Sequence, residues 1–245
     1  MNSNFEKNNQ VTLKGKMVGT PTYSHSVMGE GFYEFTLSVP RLSNEVDLLP
    51  ITISERLLGE TSMKEEIGIC GQLRSYNKLD GDRSKLILTI FAREIIDPEE
   101  VTSSNLIKIT GYVCKEPIYR TTPFGREITD LLVAVNRAYN KSDYLPCIAW
   151  GRNARFAGDL QVGEKIELGG RIQSRKYQKK ISETESEMRT AYEVSIASIM
   201  SVVLDQSEEE EPLEEHYDNM VVEDNEKYFA EAGESFCWES CYKLV

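Results

Sequence analysis

Val11-Thr12-Leu13-Lys14-Gly15 and, later in the chain, Leu106-Ile107-Lys108-Ile109-Thr110-Gly111 both alternate apolar and polar residues and both end on glycine. Period-two alternation is the mark of a half-buried strand. The two stretches are copies of one another at a shift of 96 residues, and the shift holds outward from them. Pro21 falls on Pro117, Tyr23 on Tyr119, Gly29 on Gly125, Val39 on Val135, Arg41 on Arg137 and Asp47 on Asp143. Leu49-Pro50 falls on Leu145-Pro146 and Arg56 on Arg152. The shift then widens to 99, matching Gly71 to Gly170 and Ser75 to Ser174, as a small insertion near Asn153 to Gln161 would require. Two copies are too few for a solenoid and imply two similar domains.

Each copy reads as five strands. The second strands are Phe35 to Val39 and Leu131 to Val135, preceded by turn glycines at Gly29 to Gly31 and at Gly125. The third are Leu48 to Ile53 and Tyr144 to Trp150, and the fifth Lys85 to Phe91 and Thr190 to Ile199. The fourth, Ile67 to Arg74 and Lys165 to Ile172, carry interior glycines, which mark a bulge or barrel bend. A short helix fits Arg152 to Asp159. Five short strands in one small domain suit a closed barrel, which leaves no open edge. The expected class is all-β: two tandem five-stranded barrels of the OB type and a disordered acidic C-terminal tail. Residues 1–10 read as a flexible N-terminus, 11–97 as the first barrel, 105–203 as the second and 205–245 as the tail.

The chain has 245 residues and a net charge of −12. The tail from Asp205 to Val245 holds 14 acidic residues and two lysines, and so accounts for the whole excess. The rest is balanced, mildly acidic before Ser104 and mildly basic after it. Such blocks speak to partners and solubility rather than to fold. No run of about 18 apolar residues offers a membrane span. The polar start, Met1 to Gln10, lacks an apolar signal core, so a cytoplasmic, nucleoid-associated setting is expected. Of five cysteines, Cys70, Cys114 and Cys147 lie in apolar strand-like runs, and Cys237 and Cys241 in the tail. That usage suits a reducing compartment. The only histidines, His25 and His216, have no partners at metal-ligand or triad spacing, and no phosphate-cradling loop is present. No enzyme, metal or cofactor is expected.

Asn105 to Val203 resembles the bacterial single-stranded DNA-binding protein family. The resemblance rests on Ile109-Thr110-Gly111, Pro117-Ile118-Tyr119, Val133-Ala134-Val135-Asn136-Arg137 and Tyr144 to Gly151, then on Val162 to Lys165 and Gly169 to Tyr177. It implies an OB barrel whose aromatic residues stack on bases, at positions that here are Tyr139, Tyr144, Trp150 and Tyr177. It also implies one barrel per chain assembled in fours, so that two chains with two barrels each would pair as a homodimer. The residues suit that use. A binder without sequence preference needs flat rings for bases and cations for phosphates. Arg137, Arg152, Arg155, Arg171, Arg175, Lys176, Lys179 and Lys180 surround the rings, with the run Arg175 to Lys180 placed where a long hairpin loop would leave the barrel. Arg137 and Arg152 repeat as Arg41 and Arg56, which equally suits an ion pair internal to the fold.

The first copy has Ser43, Leu48, Ser54 and Lys78 at the ring positions, so its binding face reads as degenerate. Its own aromatics, Tyr23, Phe32, Tyr33 and Tyr76, lie elsewhere. Phe236, Trp238, Tyr242 and Leu244 make the end of the tail too apolar for a spacer and suit a segment that recruits replication or repair proteins. The competing reading is a non-enzymatic scaffold or adaptor acting through protein contacts, because OB barrels host many functions. RNA is a further candidate ligand.

Overall fold

The computed structural model describes residues 7–61, 66–80, 83–138, 141–180 and 186–202. Eleven strands form one continuous sheet in the order β2-β3-β5-β4-β1-β6-β10-β11-β9-β8-β7. The first half holds β1 (Asn9–Val27), β2 (Glu30–Pro40), β3 (Val46–Ser54), β4 (Ile67–Asp80) and β5 (Arg83–Ile96). The second holds β6 (Asn105–Val113), β7 (Ile118–Thr121), β8 (Glu127–Arg137), β9 (Lys141–Trp150), β10 (Lys165–Lys180) and β11 (Ser186–Ser201). Each half closes on itself, through β1 pairing with both β2 and β4, and through β6 pairing with both β8 and β10. Two tandem OB-type barrels result, as expected. Among the described residues no helix is long and apolar enough to cross a membrane.

Closure depends on glycine at matched places. A Cβ on Gly71 would lie 2.4 Å from the Phe91 carbonyl oxygen, and one on Gly170 would lie 2.2 Å from that of Ser195. The strand register slips at those two points, between Cys70 and Gly71 and between Gly169 and Gly170. The interior glycines therefore mark barrel bends, where one strand presses on its neighbour too closely for a side chain. Matched asparagines complete the ladders. Asn9 bridges Leu73, receiving its N–H at 3.0 Å and donating to its carbonyl at 2.6 Å, and Asn105 does the same to Ile172 at 2.9 and 2.7 Å.

Several strands outrun their sequence signals. β1 continues to Val27 through a largely exposed stretch without alternation. The run Arg175 to Lys180, expected as loop, is strand: β10 stays paired with β11 as far as Lys180 opposite Ser186. Besides the expected helix, α2 (Arg152–Gly158), the first barrel has α1 (Glu55–Glu60), capped by Ser54.

The barrels join by strand pairing and by crossed polar links. β1 and β6 pair antiparallel, Val11 opposite Ile107. Asp47, 1% exposed, accepts from the Ser174 N–H of the other barrel at 2.7 Å and is gripped by Arg41 at 2.8 and 2.5 Å. Asp143, also 1% exposed, accepts from the Ser75 N–H at 2.7 Å and faces Arg137 at 3.4 Å. The repeat partners noted in the sequence are thus the residues that the two barrels trade across a pseudo-twofold joint.

Candidate nucleic-acid interface

In a strand, alternate side chains take opposite faces. Along β9, Asp143, Leu145, Cys147 and Ala149 are buried, with the last three in the core. Tyr144, Pro146, Ile148 and Trp150 therefore share the other face. Residues directly opposite in an antiparallel pair stand side by side. Trp150 is opposite Ile128, Ile148 opposite Asp130, Pro146 opposite Leu132 and Tyr144 opposite Ala134. The face continues onto β10 and β11, because Val194 and Cys147 are paired core residues, and so Ser195 and Ile148 look outward together. Past the bulge, Arg171, Gln173, Arg175 and Tyr177 lie opposite Ser195, Glu193, Ala191 and Arg189. One face thus brings together Tyr144, Trp150, Tyr177, Arg171 and Arg175, with all three rings half-buried.

The other expected cations are placed differently. Arg137 is held by Asp143 at the joint, as Arg41 is by Asp47. Arg152 and Arg155 ride on α2, whose Ala154 and Ala157 enter the core. Arg155 binds Glu127 at 2.8 Å while Arg152 is exposed. Lys176 is exposed on the opposite side of β10 from Tyr177 and Arg175. Tyr139, the Lys179 and Lys180 side chains, and the tail with Phe236, Trp238, Tyr242 and Leu244 lie outside the described residues.

Sequence reading missed the acidic half of this face. Asp130 pairs with Arg120 at 2.6 Å, and Glu193 with Arg175 at 3.2 Å while accepting from Gln173 at 2.5 Å. Burial pushes the Asp130 carboxyl up to about 6, with Glu193 adding to the rise and Arg120 and Arg175 opposing it. The available signal was Asp130 itself, a charge at an outward position inside the apolar run from Ile128 to Val133. Ile128, Leu132 and Ile148, all under 5% exposed and outside the main core, surround it. The second barrel therefore offers rings and guanidiniums on an apolar floor with two carboxylates among them. Burial raises the thiols of Cys114 and Cys147, that of Cys114 to about 12, which disfavours the thiolate form. Among the described residues no group of three or more His, Cys, Asp or Glu is placed to hold a metal.

Residues 104–201 match the family model described as the single-strand binding protein family. Among curated proteins, the chain is similar to the single-stranded DNA-binding protein of Clostridium tetani, 31% identical over 83 residues, covering 31% of this chain and 57% of that protein. It is also similar to single-stranded DNA-binding protein 1 of Staphylococcus aureus, 32% identical over 81 residues, covering 30% and 48%. The chain spans about half the length of the curated relatives it matches. Among solved structures, the wild-type single-stranded DNA binding protein from Thermus aquaticus superposes with a TM-score of 0.64 at 19% identity, covering 82% of this chain and 95% of that one. That likeness concerns the fold and extends it over both barrels.

Proposed function

We propose that this chain binds single-stranded DNA without sequence preference and without chemistry, a reading supported by the match of residues 104–201 to the single-strand binding protein family. The observation that carries the reading is the single face holding Tyr144, Trp150 and Tyr177 among Arg171 and Arg175. Each stacked base is worth about 1–3 kcal/mol by alanine substitution, and rings tolerate any base because every base has a flat face. The guanidiniums serve the phosphates. Arg175 starts from a carboxylate partner, Glu193, so a bound strand exchanges one anion for another rather than meeting an uncompensated charge. The setting we propose is DNA replication, recombination or repair in the cytoplasm, with two chains pairing to present four barrels. The apolar tail residues Phe236, Trp238, Tyr242 and Leu244 would recruit partner proteins.

The test is a fluorescence anisotropy titration of the full chain with oligo-deoxythymidine at two salt concentrations. The wild type should bind, and weaken with salt as released counterions require. Replacing Trp150 and Tyr177 together by alanine should weaken binding by at least roughly tenfold. No binding at low salt, with the acidic tail removed as a control, would overturn the reading in favour of an adaptor that acts through proteins alone. Equal affinity for oligo-uridine would broaden the ligand to RNA.

A further inference from the structure

The first barrel has lost the rings of the family positions, yet its outward face is not bare. His25 on β1 stacks on Phe32 of β2 with centroids 5.1 Å apart and planes 12° from parallel. Phe32 lies 5.7 Å from Phe91 of β5, and the Arg74 guanidinium of β4 sits 4.5 Å over the Phe91 ring. Arg93 approaches the same ring at 5.5 Å. Four flat groups therefore run as a ladder across four strands. His25 and Arg93 are exposed, Phe91 and Arg74 half-buried, and Phe32 buried at the centre.

The ladder occupies the face equivalent to that of the second barrel. Phe32 is directly opposite Ser54, and the matching pair in the second barrel is Ile128 opposite Trp150. The ring has moved across one ladder pair, from β9 of the second barrel to β2 of the first, and stays on the same face. Phe91 corresponds to Ser195 by its place beside Thr52, the counterpart of Ile148. Arg74 also lies within electrostatic reach of Arg137 and Asp143 of the second barrel, so the ladder ends at the joint.

We propose that His25, Phe32, Phe91 and Arg74, with Arg93 beside them, form a second base-stacking subsite that engages bases of the single strand held by the second barrel. The inference rests on the reading of the chain as a single-stranded DNA binder. Phenyl and imidazole rings and a guanidinium plane all accept a stacked base, and a guanidinium lying on a ring keeps its N–H edge for phosphate. Arg74 and Arg93 place cations beside these rings in a half that is mildly acidic as a whole. His25 and Arg93, at the solvent side, are the groups a strand would meet first.

The experiment compares the full wild-type chain with a His25→Ala, Phe91→Leu double variant, which removes two flat groups and keeps an aliphatic side chain in the half-buried position. Thermal melting establishes that the variant is folded. Affinity for a long oligo-deoxythymidine should fall roughly tenfold, and the number of nucleotides covered per chain should shrink. Irradiating the wild-type complex with a 5-bromodeoxyuridine oligonucleotide should attach DNA to the peptides carrying His25 or Phe91 as well as to the second barrel. Crosslinks confined to the second barrel, or a folded variant with unchanged affinity and coverage, overturn the inference and leave the proposed function intact. A wild type that binds no single strand overturns both. If the variant does not fold, the wild-type crosslinks decide.

Discussion

On the second barrel the outward pair Ile128–Trp150 sets its ring on β9; on the first the same pair is Phe32–Ser54 and the ring is on β2. The carboxylates diverge likewise. Asp130 is mostly buried and ion-paired to Arg120, whereas its counterpart Glu34 is exposed and accepts from the Ser24 hydroxyl. The joint residues behave in the opposite way. Asp47 and Asp143 carry the same duty at matched positions, each receiving a backbone N–H of the other barrel. Residues that hold the barrels together have kept their places, and those on the outward faces have moved. The joint is a mutual contact, so a change on one side would need an answering change on the other.

The sharpest way to break that symmetry is to delete its carboxylates. Asp47→Ala takes from Arg41, about one-fifth exposed, its buried carboxylate, leaving it Glu45 and the Ser174 carbonyl, and strands the Ser174 N–H; it should cost about 3 kcal/mol in urea unfolding. Asp143→Ala breaks a looser pair and leaves one unmet N–H, and should cost about 1–3 kcal/mol. Equal losses would show that the joint is more symmetric in solution than its distances suggest.

Asp130 predicts a pH dependence belonging to the second barrel. Its carboxyl sits at about 6 in the fold against an ordinary 3.8, so the native state holds the proton more tightly between those values. By linkage, raising the pH through that window removes stability, up to about 3 kcal/mol above it. Unfolding midpoints measured across the window should fall more steeply with rising pH for the wild type than for Asp130→Asn. Parallel curves would show that the Arg120 pair offsets the burial fully.

Gly71→Ala and Gly170→Ala test the shared frame. Both place a methyl against a neighbouring carbonyl, and each should lower stability by about 1–3 kcal/mol without altering DNA affinity per folded molecule. The smallest effect separates two matched arginines. Arg56 pairs with Glu60 on its own helix, while Arg152 is exposed. Arg152→Ala should weaken DNA binding a few-fold and reduce the salt slope by about one, and Arg56→Ala should change neither.

The frame was legible because its causes are local. Period-two burial marked the strands, and the matched glycines marked the bends. The shared face of Tyr144 and Trp150 follows from their even spacing on one strand. The rest was hidden because its causes are not local. β1 runs on past Val18 with no buried side to show alternation. His25, Phe32, Arg74 and Phe91 come from four separate strands, so no spacing announces them, and the first face reads as degenerate because its rings stand away from the family positions. Asp47 and Ser174 were each visible as repeat partners, but nothing in the sequence says that they meet each other.

The β1–β6 seam has a consequence for fragments of this chain. Each barrel lends the other a strand edge, so cutting between residues 97 and 105 would leave two pieces with complementary raw edges and unmet Asp and Ser groups. Expressed together, the pieces should reassemble as a split protein. Expressed alone, each should find the missing mate in a second copy of itself, since β1 and β6 are near-copies.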